Sequence, residues 1–156
     1  MPTPPANEKM LFYLQRTIDI NTLVYEINYK ENGQINKHKP IKIYWIDYAN
    51  KSEITQLTFS QKAFAYGIHH TAVDDKETIF KINLVSYKKI IMYLKPSGKN
   101  GLYQTHITLN GVECILRNIL VHITGGTYLK PIISDIELIG ENIKSGKKTF
   151  EKFKPS

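Results

Sequence analysis

The one cluster whose residue types suit a metal is His69-His70 followed by Asp74 and Asp75. Imidazole and carboxylate are donors that zinc and similar ions accept, but they must converge on one point. Adjacent side chains on extended backbone point to opposite sides, and no His-x-x-x-His spacing is present, so two neighbouring histidines are badly placed to share an ion. Residues 69–76 therefore read as a solvated polar loop, and no metal or other cofactor is expected. His38, His106 and His122 are dispersed. The latter two fall on β-rich runs, where a hydrogen-bonded strand histidine is the expectation.

Nucleophilic catalysis has no local signature. There is no Gly-x-Ser-x-Gly elbow, and Ser60, Ser86 and Ser134 lack a context that activates a hydroxyl, so a triad would have to assemble in space. Cys114 lies in the apolar run 112–123 and reads as a buried, inert thiol. Asp135 and Glu137 alternate with isoleucines and read as a solvent face. Gly125-Gly126 lacks the following helix and lysine of a phosphate loop.

Two charges interrupt apolar strands: Arg16 after Leu11-Phe12-Tyr13-Leu14-Gln15, and Asp47 after Ile43-Tyr44-Trp45-Ile46. If buried they need partners, and each other is the first choice. The ten tyrosines add aromatic walls with a polar tip. The candidate ligand site is accordingly a pocket at the end of the Trp45 strand, with Arg16, Tyr44, Asp47, Tyr48, Tyr66 and His69 as its polar rim.

The elements that must position these residues are mostly strands. Residues 40–48 carry the lone Trp45 in a β-branched and aromatic run with neither face wholly polar, the pattern of a central strand covered on both sides. Residues 22–29, 78–85, 89–95 and 131–138 alternate in the same way. Asn110-Gly111 separates two β-rich runs and predicts a type I′ hairpin. A turn at Ser145-Gly146 leads to a closing strand over residues 149–153. One helix is expected, over residues 59–66, with Thr58 and Gln61 as a capping box and Gly67 as a left-handed stop. Phe59, Ala63 and Tyr66 would share its sheet-facing side. Eight or nine short strands and one helix predict a mainly β chain folded as an antiparallel sandwich or barrel.

At 156 residues the chain is of single-domain size, with residues 1–9 as a proline-rich leader and residues 10–154 as one β domain. The leader is extended, because prolines fix φ and remove donors. It reads either as the start of a mature exported protein whose signal was replaced by Met1 or as a flexible terminus, with composition favouring the first. The formal charge of +7 invites an anionic partner, but only Arg16 and Arg117 are arginines among 21 cations, and the lysines are scattered. A solvated surface is the preferred meaning, and nucleic acid is not the expected partner. No apolar run reaches the ~20 residues of a membrane-spanning helix.

Three segments, Leu11-Phe12-Tyr13-Leu14-Gln15-Arg16, Pro40-Ile41-Lys42-Ile43-Tyr44-Trp45-Ile46 and Ala65-Tyr66-Gly67, resemble a bacterial family of uncharacterised proteins, the domain of unknown function numbered 4833. The resemblance implies Bacteroidota-type sources and export to the envelope, and it implies no activity, cofactor or catalytic residue. The leading expectation is thus a non-enzymatic binding or structural module of the cell envelope, periplasmic or otherwise exported, with a small molecule or an envelope protein as partner. A hydrolase-like enzyme whose site assembles in space is the alternative, and a basic oligonucleotide-binding barrel is the weaker one. A cytoplasmic location is the alternative to export.

Overall fold

The computed structural model describes residues 1–127 and 130–155. Strand accounts for 56% of the chain and helix for 7%, which makes the mainly β reading correct. The strands are β1 (Met10–Arg16), β2 (Asp19–Ile27), β3 (Ile41–Asp47), β4 (Glu53–Thr55), β5 (Ile68–Ala72), β6 (Phe80–Leu84), β7 (Tyr87–Lys95), β8 (Gln104–Leu109), β9 (Val112–Gly126), β10 (Pro131–Asn142) and β11 (Lys148–Phe153). Nine of them form one curled sheet in the order β4-β3-β2-β1-β9-β8-β7-β6-β5, a half-barrel, and β10 joins β9 and carries β11.

The spine of this sheet is β9. Along one edge it pairs with β10 over almost its whole length, while the other edge takes β8 on residues 112–115 and β1 on residues 118–121. The β1–β9 pairing is parallel, so the sheet is mixed rather than purely antiparallel. One strand thus feeds two sheet arms that curl towards each other. Phe12, Leu14, Tyr25 and Ile27 from one arm and Phe80, Ile82, Met92 and Leu94 from the other are all buried in a single core. The Phe12 and Tyr25 rings stack at 4.5 Å.

Trp45 is 8% exposed, so the lone indole is sealed, as its strand pattern requires. The strand itself lies one place from the sheet edge, because β4 beyond it has only three residues. The outer-face residues Leu11, Gln15, Thr22 and Val24 are buried too. The N-terminal residues reach this face at Gln15, whose Nε2 donates to the Pro2 carbonyl at 2.6 Å, and Pro4 is buried.

Two local features depart from the sequence reading. The capping box forms: Thr58 Oγ1 accepts from Gln61 N–H at 3.2 Å, and Gln61 Oε1 accepts from Thr58 N–H at 2.9 Å. However, the α-helix α1 (Phe59–Gln61) lasts one turn and continues as a π-helical turn, Lys62–Tyr66. Phe59, 81% exposed, and Ala63 face solvent, and of the expected trio Tyr66 alone packs against the core. Gly67 has extended backbone, φ −65° and ψ 165°, not a left-handed stop. Its reason is close approach, since a Cβ there would lie 2.0 Å from the Lys62 carbonyl oxygen. Second, residues 68–72 are the edge strand β5 rather than part of a polar loop, paired to β6 through His69↔Asn83 and His70↔Ile82.

Candidate functional site

Burial gathers Arg16 and Tyr66 around Trp45. The Arg16 guanidinium carbon lies 4.8 Å from the centroid of the Trp45 ring and 5.9 Å from that of Tyr66, and Nη2 contacts Asp19 Oδ2 at 2.8 Å. Stacking on two aromatic faces together with a charged partner across the β1–β2 turn is how a guanidinium tolerates burial. Its partner is therefore Asp19 and not Asp47. Trp45 Nε1 donates to Gln61 Oε1 at 3.2 Å, and Tyr25 OH donates to the Tyr66 carbonyl at 2.8 Å, so helix and sheet lock the cluster.

The remaining rim candidates disperse. Tyr44 is on the opposite face of β3, where its hydroxyl donates to Glu26 Oε2 at 2.8 Å. Burial and that carboxylate raise its phenol pKa. Tyr48 is raised by burial and by Tyr13. The Asp47 carbonyl accepts from Asn50 and Ser52 N–H and closes the turn after β3. His69 is exposed on β5, beside His70, whose ring stands 6.0 Å from Phe80. A small cavity of about 180 Å³ lies at the start of β3, between Ile41, Ile43, Ile68 and His70.

The large opening is elsewhere. β7 and β8 pair only at Tyr93↔His106, Leu94↔Thr105 and Lys95↔Gln104 and then part. On its other side β7 also loses register: between Ile82↔Met92 and Leu84↔Tyr87, residues 88–91 stand opposite Asn83 alone. A bulge of this kind bends a strand away from its neighbour. The resulting cleft has a volume of about 1150 Å³. Its walls include Ile91 and Ile107 from the parted strands and Leu138 and Phe153 from β10 and β11. Lys88, Lys89, Lys95 and Lys154 rim it against Glu113 and Glu151. Glu151 is engaged, accepting from Asn110 N–H at 2.7 Å, while Asn110 Nδ2 donates to the Phe150 carbonyl at 2.7 Å. The predicted hairpin turn thereby anchors β11 at the cleft wall.

Where β7 and β8 are still paired, Ser97 Oγ lies 2.5 Å from His106 Nε2, and His106 Nδ1 lies 3.5 Å from Glu113 Oε1. The Ser97 hydroxyl also donates to Gln104 Oε1 at 3.1 Å. The His106–Glu113 contact has ion-pair distance without hydrogen-bond alignment. His106 is buried, and that burial, aided by the Lys95 ammonium, lowers its pKa and keeps the imidazole neutral. Sequence reasoning passed over Ser97, Glu113 and the cleft lysines. The only available signal was a Pro96-Ser97-Gly98 turn beside a strand carrying His106. Nothing short of the strand register brings residues 97, 106 and 113 together.

Among the described residues no group of three His, Cys, Asp or Glu side chains is placed to hold a metal ion. Likewise, no helix is long and apolar enough to cross a membrane. No curated protein and no solved structure matches the chain. A family model does match, over residues 12–152, and it spans both sheet arms, the Trp45 cluster and the cleft. The chain therefore belongs to the family described as domain of unknown function DUF4833.

Proposed function

We propose that this protein is a binding module of the cell envelope that receives an extended, acidic segment of a partner protein in the cleft between β7, β8 and β11. The observation that carries the reading is the parting of β7 from β8 after three residue pairs, with a cleft of about 1150 Å³ in the gap. Backbone amides and carbonyls on a parted edge are a template for an added strand, which takes main-chain hydrogen bonds and places alternate side chains in pockets. The volume exceeds the ~300–1,000 Å³ of ordinary small-molecule sites and suits a length of polypeptide. The apolar wall of Ile91, Ile107, Leu138 and Phe153 fits one face of such a strand. Lys88, Lys95 and Lys154 against Glu113 and an already engaged Glu151 favour acidic side chains on the other.

The test is titration of a labelled peptide alternating Val with Glu against the folded chain, beside a Val/Lys peptide of equal length. The acidic peptide is expected to bind, and Lys88→Glu combined with Lys154→Glu to weaken it at least tenfold. Equal affinity for the two peptides, or no binding of either, would overturn the reading. Placement in the envelope is tested separately. Fractionation of cells expressing the native gene should find the protein outside the cytoplasm, and a cytoplasmic result would remove the placement while leaving the cleft reading intact.

A further inference from the structure

We propose that Ser97, His106 and Glu113 form a nucleophilic relay that hydrolyses carboxylic esters presented at the exposed corner after β7, beside the cleft that His106 and Glu113 line. The inference stands on side-chain geometry alone and does not depend on a peptide occupying the gap. Ser97 is exposed at the corner leaving β7, with its Oγ 2.5 Å from His106 Nε2, and His106 lines the cleft. On the far side of the ring, Glu113 Oε1 faces Nδ1 at 3.5 Å. A nucleophile, a base and a carboxylate that orients the base are the parts of an acyl-transfer triad, recognised by geometry rather than chain order. A loose outer contact is usual before substrate is bound. The neutral imidazole acts as the base in the tautomer that carries its proton on Nδ1, the side Glu113 faces, with the Ser97 hydroxyl turned from Gln104 Oε1 to Nε2.

In the acylation step Ser97 Oγ attacks the ester carbonyl carbon while its proton passes to His106 Nε2. The tetrahedral adduct then collapses, breaking the bond to the leaving oxygen, which takes the proton from Nε2 and departs as the alcohol. Water attacks the Ser97 ester in turn, giving its proton to His106 Nε2. That proton returns to Ser97 Oγ as the carboxylic acid leaves, and the enzyme is regenerated with no redox change.

The experiment is incubation of the intact folded chain with an alkyl fluorophosphonate, read by mass spectrometry, together with release of p-nitrophenol from p-nitrophenyl butyrate. One adduct per chain is expected, on Ser97. Ser97→Ala should abolish both the adduct and the burst of p-nitrophenol while circular dichroism shows the fold retained, the thermal midpoint falling only by what the lost His106 hydrogen bond costs. His106→Gln should slow labelling at least a hundredfold. Glu113→Gln should slow it about tenfold, whereas Glu113→Asp, which keeps the carboxylate, should retain most of the rate. An unlabelled Ser97, labelling that persists in urea, or a Ser97→Ala variant that hydrolyses the ester as fast as the parent would each overturn the proposal.

Discussion

Arg16 shows how one side chain can be identified from sequence while its role stays hidden. A cation ending the run Leu11-Phe12-Tyr13-Leu14-Gln15 needs a partner if buried; it is 8% exposed, and the partner is Asp19 at 2.8 Å and not the expected Asp47. Its stacking on Trp45 and Tyr66 could not be read, because it depends on a π-helical turn that delivers Tyr66 to the indole from 21 residues away. Arg16→Ala should destabilise the fold by about 2 kcal/mol through lost stacking and packing of the side-chain stem, and Arg16→Lys by about half as much. Urea melts followed by Trp45 fluorescence measure this directly, since the indole passes from a sealed site into water. A variant as stable as the parent would mean that the guanidinium contributes nothing to the cluster. Among the other rim candidates the chemistry was visible but the face was not: Tyr44 and Trp45 are neighbours in sequence and therefore lie on opposite sides of β3.

At the level of elements, local signals were read well and long-range ones were not. Asn110-Gly111 predicted its hairpin, and both residues have the positive φ that the turn needs, 48° and 78°. Gly111→Ala should cost about 1–2 kcal/mol, because an alanine in left-handed backbone is strained even with open space around it. Gly140 has a different requirement, since a Cβ there would lie 2.6 Å from the Ile115 carbonyl oxygen. Gly140→Ala should therefore cost about 1–3 kcal/mol through a shift of β10 against β9, visible as a lower urea midpoint with an unchanged slope. The parallel β1–β9 pairing was not legible, because it joins residues about 105 positions apart that carry no reciprocal pattern. Edge strand β5 escaped for a related reason: a polar, histidine-bearing edge looks like a loop until its pairing to β6 is known.

The behaviour of the whole molecule follows from how two sheet arms close on one core and where they fail to meet. Acid should loosen the closed part. Burial holds His70 and His106 below the ordinary imidazole value of 6.5, each further lowered by neighbouring cationic or imidazole groups. The unfolded chain therefore binds protons first as pH falls. The stability that both histidines contribute is complete above about pH 6.5 and is lost as pH drops through their folded-state values. Thermal midpoints should fall between pH 7.5 and pH 5, and His70→Gln should flatten that slope; a midpoint that rises on acidification would contradict it.

The open part, the gap between β7 and β8, was invisible in the sequence, because it arises from a register shift at residues 88–91 and not from any residue type. It is nevertheless where the functional reading rests, and amide hydrogen exchange tests it most directly. In the free protein the amides of Ile91 and Thr108, next after the last β7–β8 pair on the side that faces the gap, should exchange far faster than those of 93–95, and the acidic peptide should slow the first two while leaving the third group unchanged. Amides of Ile91 and Thr108 already protected in the free chain, or unaffected by saturating peptide, would show that no strand is received there.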